Sequence, residues 1–186
     1  KIPDITRRIC AICTASHSIA SIRAIENAFE IEPTEQTKLL RDLLINGEMI
    51  ESHSLHLFFL ALPVLLGYDD IIDMTDNYLG EVESALALKK AGNMIHTILS
   101  GREVHGMNER VGGFSTIPSE EQLLKTRRLL EESMKTAELS VRLFTKADIP
   151  QYCVSKNNLM ALDPGDDYGF IGERVLTSDG EIYPIT

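Results

Sequence analysis

Apolar positions recur at helical spacing along the first two-thirds of the chain. From Ile19 they fall at 19, 22, 25 and 29, with Ala20, Ala24 and Ala28 between them. That is the three-and-four rhythm of a helix burying one face. Thr14 and Ser16 can cap its start, so residues just before it lie at a helix mouth. Glu32-Pro33-Thr34-Glu35 ends this helix and opens a second, with acids in its first turn. The second begins amphipathic, with Leu39, Leu40, Leu43 and Leu44, and is apolar all round by Phe58. The run at 55–67, LHLFFLALPVLLG, contains Pro63 and is too short to span a bilayer. It is expected to be buried on all sides, inside a body larger than this chain can supply.

A third helix is expected over about 75–99, softened at Gly80 and Gly92 and stopped at Gly101. A glycine-rich loop, 101–118, follows. Ser119-Glu120-Glu121-Gln122 then reads as a capping box opening a fourth helix through about Ala147. After Pro150 the periodicity shortens, and Asp179-Gly180 between β-type residues predicts a type I′ hairpin. The expected fold is mainly α with a small β-rich tail, an α+β arrangement. A helical part over 1–147 and a β-rich segment over 148–186 together make one portion of a larger domain.

Charge narrows the function. With 18 basic against 28 acidic residues the net charge is −10, which argues against nucleic acid as a partner. Three cysteines are too few for a secreted disulfide framework, and the odd count suits a reducing compartment. No signal peptide is visible. The start at Lys1 and the close soon after the hairpin lead us to expect a portion of a longer protein.

Two of the three cysteines stand close together in RRICAICTASH, residues 7–17. Cys10 and Cys13 at i and i+3 can aim their sulfurs the same way if that turn is nearly helical. Thiolates so placed suit zinc, nickel, low-valent iron or a cluster. His17, four residues beyond Cys13, shares that face and can be a ligand or donate to a sulfur. Cysteines also simply pack in cores. A structural zinc site would draw on Cys10, Cys13, His17 and distant Cys153, but no second close pair is present. A thioredoxin-like redox pair fits less well, since the nine residues before it cannot supply the strand such a motif follows. Spacing alone leaves these readings open.

The longer segment RRICAICTASHSIASIRAIENAF resembles the N-terminal cysteine motif of the nickel–iron hydrogenase large subunit, R-x-C-G-x-C-x-x-x-H. Arg8, Cys10, Cys13 and His17 fall on it in register, with Ala11 where the family has glycine. The loop GREVHGMNERVGG, with His105, resembles the family's central motif. The wording downstream is most similar to the cytoplasmic multi-subunit types. The resemblance implies a nickel–iron centre, its iron carrying carbon monoxide and cyanide, held by four cysteines in the full subunit. Cys10 would be a terminal nickel ligand and Cys13 would bridge the metals; the other pair is expected beyond Thr186, and a glutamate-containing motif before Lys1. His17 would act near the bridging sulfur, and Arg8 and His105 would support the site. H2 would be the substrate, and electrons would leave through an iron–sulfur small subunit and carrier subunits. With two of four ligands, this piece alone is expected neither to hold the centre nor to turn over, and its apolar helix is expected to self-associate.

Two other classes remain at this stage. Relatives within respiratory complex I keep the scaffold, lose the cysteines and serve quinone binding. A helical interaction module with structural zinc is the third reading. His53, His56 and His96 read as satisfied core or interface histidines. Asp69, Asp70, Asp73 and Asp76 read as a polar turn, because the calcium-loop spacing is absent. The 101–118 loop lacks the Lys-Ser/Thr of a phosphate-binding loop. Lys125, Arg127 and Arg128 share a helix with Glu131, Glu132 and Glu138, a solvated face.

Overall fold

In the computed structural model, residues 1–146, 157–166 and 170–185 are described. Six α-helices and two small antiparallel sheets are found among them, with a π-helical turn in the second long helix. A short helix not foreseen from the periodicity, α1 (Ile2–Thr6), precedes the cysteine turn. Then come α2 (Thr14–Phe29) and α3 (Glu35–Ser54), which runs on through π-helical residues Leu55–Ala61 into α4 (Leu62–Leu66). Next are α5 (Thr75–Ser100) and the paired strands β1 (Glu109–Arg110) and β2 (Gly113–Phe114). The helix α6 (Glu120–Thr145) is followed by β3 (Met160–Asp163), β4 (Arg174–Thr177) and β5 (Ile182–Pro184).

Local chemistry explains most of these boundaries. Thr34 caps α3 by accepting from the Thr37 amide at 3.2 Å. Ser119 and Gln122 form the full capping box of α6. Gly67 and Gly101 terminate α4 and α5 in the left-handed region that glycine occupies without a Cβ clash. The expected softening of α5 at its glycines is not seen. Its non-helical residue is Tyr78. Gly92 instead lets α3 and α5 touch: a Cβ there would lie 2.7 Å from the Glu51 amide nitrogen and 2.7 Å from the Gly47 carbonyl. Ile95 closes on Gly47 from the other side.

One core cluster joins α2, α3 and α5 through Ala15, Ile19, Leu40, Leu44, Ile45, Ile95 and Leu99. A second gathers Phe58, Leu62, Met74, Val82 and Ala85, with Phe144 of α6 edge-on to Phe58 at 6.3 Å. The apolar run at 55–67 is not buried all round here. Phe58, Leu62 and Pro63 face inward, whereas Leu60 and Val64 are exposed. The continuous helix Glu35–Leu66, 32 residues, is long and apolar enough by composition to cross a membrane, unlike the shorter run considered alone. It carries Arg41, Glu48 and Glu51 buried against neighbouring helices, as a core helix does.

The tail sheet has the order β3-β4-β5, all antiparallel, with Val175 facing Tyr183 and Leu162. The hairpin at Asp179-Gly180 is present but is not type I′, because Gly180 has positive φ and Asp179 does not. Thr177 closes the turn with its amide to the Glu181 carbonyl at 3.0 Å. Arg23 on α2 ties this tail to the helices by donating to the Gly172 carbonyl at 3.1 Å and to Glu173 at 3.0 Å.

Candidate functional site

The cysteine turn sits between α1 and α2. Cys13 is the residue capping α2, while Thr14 and Ser16 lie inside the helix instead of capping it. Thr14 donates its hydroxyl back to the Cys10 carbonyl at 2.8 Å, closing the turn. The Cα atoms of Cys10 and Cys13 are 5.5 Å apart, and their sulfurs are joined as a disulfide. The Cys13 amide donates to the Cys10 sulfur at 3.2 Å. The convergence expected from i, i+3 spacing is therefore present. A disulfide and a dithiolate differ by two electrons, so metal binding requires the reduced pair.

His17 is half-buried one turn along α2, its amide donating to the Cys13 carbonyl at 3.2 Å. Arg8 is exposed. The arginine that reaches into the protein is its neighbour Arg7, 1% exposed. Arg7 donates to the Pro3 carbonyl at 2.8 Å, the Gly106 carbonyl at 2.6 Å, the Glu109 carboxylate at 3.2 Å and the Glu109 carbonyl at 3.3 Å. In return the Arg7 carbonyl accepts from His105 Nδ1 at 2.8 Å, which fixes the proton on that nitrogen. Ser100 donates to the other oxygen of Glu109.

This is how the two sequence motifs meet. The central loop is strapped onto the segment leading into the cysteine turn. The loop itself is pinned by Asn108, whose amide donates to the Leu99 and Thr116 carbonyls at 2.7 and 2.6 Å. His105 holds a positive φ of 52° within it. Gly106 is required next to it, because a Cβ there would overlap the Ser100 side chain. A second buried pair, Arg41 with Glu26 at 2.6 Å, anchors the loop's far end through the Gly112 amide.

The sequence reading missed Glu48. It is 1% exposed on α3, yet its carboxylate reaches the mouth of α2. Oε2 accepts from the Ala15 and Ser16 amides at 2.6 and 3.1 Å, and Oε1 accepts from the Ser16 hydroxyl. These are the free amides of the first helical turn, so a residue from another helix does the capping. Burial pushes the Glu48 carboxyl above the usual range, partly offset by the hydrogen bonds from Ser16 and Ala15. An acid 32 positions from Ser16 leaves no local spacing signal.

The other predicted positions sort simply. His96 is buried on α5, and its Nε2 has no hydrogen-bond partner among the described residues, so it is a core histidine but not a satisfied one there. His53 and His56 are exposed. Asp70 accepts from the Ile72 and Asp73 amides, the polar turn expected there. Cys153 lies outside the described residues. Among the described residues no group of three or more His, Cys, Asp or Glu converges as a metal site. The donor set on the cysteine turn is two soft sulfurs facing a partly open surface, which fits half of a thiolate metal site.

Residues 2–77 match the model of the nickel-dependent hydrogenase family. The chain is 44% identical to the sulfhydrogenase 2 alpha subunit of Pyrococcus furiosus, over 99% of its own length and 45% of that protein. The chain belongs to the nickel-dependent hydrogenase family. The sulfhydrogenase 1 alpha subunit of the same organism is 38% identical over 95% of the chain and 42% of its own length. Both relatives are alpha subunits, and the hydrogenase chain spans under half of either. Its fold superposes on an NAD+-reducing [NiFe]-hydrogenase with a TM-score of 0.85 at 22% identity, covering 97% of this chain and 44% of that one. The Ni-Fe-Se hydrogenase of D. vulgaris Hildenborough gives 0.72 at 19%, covering 44% of that chain. The mainly helical fold with a small β tail is thus that of the hydrogenase large subunit.

Proposed function

We propose that this chain is the part of a cytoplasmic nickel–iron hydrogenase large subunit that supplies the first two thiolates of its metal centre. The observation that carries the reading is the convergence of Cys10 and Cys13 at the mouth of α2. The family implies a nickel–iron centre, and a pair of soft sulfurs on one turn fits such metals. In the reduced state Cys10 and Cys13 would hold it, completed by donors from elsewhere in the whole protein. When bound, the centre supplies heterolytic cleavage of H2, releasing protons and electrons.

The chain's own residues do the rest. The Arg7–Glu109 pair and the His105 bond hold the backbone leading into the cysteine turn. Glu48 holds the first turn of α2 from the other side. Between these two anchors the positions of the sulfurs are set before any metal arrives, which is the preorganisation a metal site needs. His17, half-buried on the Cys13 face, is proposed to donate to a sulfur, and exposed Arg8 to contribute positive charge beside the turn. An iron–sulfur small subunit and carrier subunits are proposed to take the electrons. We also propose that the helical part, 1–147, and the β-rich part, 148–186, belong to one larger domain.

The experiment is metal analysis and H2 oxidation on the whole assembled protein. Nickel and iron in comparable amounts, both lost with activity in Cys10→Ala while the helical content stays, is the expected result. Retained nickel and activity in that variant would refute the assignment.

A further inference from the structure

We propose that Glu48 is a proton-carrying group beneath the cysteine turn, receiving a proton through the Ser16 hydroxyl and passing it outward by way of Glu51 and Lys89. The inference rests on the hydrogenase reading and deepens it, because splitting H2 obliges the protein to move protons away from a buried place.

Geometry carries the argument. Glu48 is a carboxylate almost wholly removed from solvent, and among the described residues no ion pair is recorded for it. Its partners are two amides and one hydroxyl, all from the first turn of α2. Ser16 stands at i+3 from Cys13, so both lie on one side of that helix. A buried unpaired charge is an expensive cap. Thr14 or Ser16, already at the helix start, offers the cheaper kind.

Beyond Glu48 the polar groups continue instead of ending. Glu51, one turn further along α3, is also buried. It accepts from Lys89 of α5 at 3.1 Å. Lys89 donates to the Asn93 side-chain oxygen Oδ1 at 3.5 Å, and the Asn93 amide Nδ2 donates to exposed Glu103 at 3.0 Å. From Glu51 these side chains run in hydrogen-bonding reach to the surface, and Glu48 stands one helical turn before Glu51 on α3, close enough to feel its charge. Burial raises the proton affinity of Glu48, the nearby Glu51 charge adds to it, and the α2 donors oppose it. Around Glu48, α3 contributes Glu51 and α5 contributes Lys89 one carboxylate away, while α2 contributes neutral donors with His17 next in sequence.

The step balances without electrons. Ser16 gives its hydroxyl hydrogen to the Glu48 carboxylate while its oxygen receives one from the site, so the hydroxyl is restored and Glu48 becomes neutral. Glu48 then releases one proton to Glu51. The Lys89 ammonium, which donates to Glu51, gives one of its own protons to solvent water and takes the Glu51 proton in its place, so that both side chains return to their starting charge.

The test combines two measurements. Infrared difference titration of the full chain without metal should show a protonated carboxyl band persisting above the ordinary glutamate range and absent in Glu48→Gln. In the whole metal-loaded protein, Glu48→Gln should lower H2 oxidation about a hundredfold with nickel content and helix signal unchanged. Glu48→Asp should recover part of that loss, and Lys89→Met, at the half-exposed outer end, should slow turnover in the same direction. An infrared titration identical in wild type and Glu48→Gln would overturn the proposal. So would turnover within about twofold of wild type in both Glu48→Gln and Lys89→Met, far from the loss expected of an acid–base group. A wild-type protein without nickel would sink the hydrogenase reading and this proposal together, whereas nickel with an inert Glu48 sinks this proposal alone.

Discussion

Replacing Glu109 by alanine isolates the clamp that joins the two motifs. Arg7 and Glu109 are each 1% exposed and meet at 3.2 Å, so neither charge has water to fall back on. Removing one member of such a pair costs about 3–5 kcal/mol, chiefly for the charge left behind. Arg7 would keep the carbonyls of Pro3, Gly106 and residue 109 and its ion pair with Asp4 at 3.7 Å, which pulls the figure toward the lower end. Ser100 would lose its acceptor as well, about 1–3 kcal/mol for a buried unsatisfied group, which pushes it back up. We therefore expect a loss of about 3–5 kcal/mol, or roughly 6–20 °C in Tm for a chain of this size. Urea titration followed by circular dichroism measures it, with exposed Arg8→Ala as the control, expected within about 0.5 kcal/mol of wild type. If Glu109→Ala were no more destabilising than Arg8→Ala, the clamp would not hold the cysteine turn as described.

The α3–α5 contact makes a paired prediction. Gly92→Ala places a Cβ 2.7 Å from backbone atoms of both Glu51 and Gly47, which cannot rotate away, so a loss of about 1–3 kcal/mol is expected in the same denaturation assay. Gly80→Ala on the same helix meets nothing within 4 Å and should gain roughly 0.5–1 kcal/mol, and equal effects at both sites would refute the packing argument. His96 gives a pH signature. Burial holds its pKa below the ordinary 6.5. Between the folded value and 6.5 the unfolded chain binds more protons, so stability should rise with pH across that window. The contribution is full above 6.5 and is lost as pH falls through the folded value. His96→Phe should flatten this slope in stability measured against pH, and an unchanged slope would contradict it.

Much of the helical plan was legible because it rests on local chemistry. The capping box at Ser119, the stop at Gly101 and the break at Glu32-Pro33 are written in consecutive residues. The cysteine pair was equally visible, since i, i+3 spacing alone brings the sulfurs together. What stayed hidden depends on distant partners. Neither Glu48 nor Arg7 differs by spacing from exposed neighbours; burial against α2 and the 101–116 loop distinguishes them. The exposure of Leu60 and Val64 agrees with the expectation that this chain alone is too small to cover its apolar helix, although hydropathy does not say which surface covers it. Type I′ geometry at Asp179-Gly180 failed since Thr177 donates its amide to the Glu181 carbonyl and accepts the Glu181 amide on its hydroxyl, which favours a longer turn.

Nickel K-edge X-ray absorption on the whole assembled protein tests the central claim most directly. If Cys10 and Cys13 are metal thiolates, wild-type nickel will show sulfur neighbours, and Cys10→Ser and Cys13→Ser will each replace a sulfur with a lighter scatterer or lose the metal. Nickel bound with an unaltered sulfur shell in both variants would mean that the turn between α1 and α2 does not hold it.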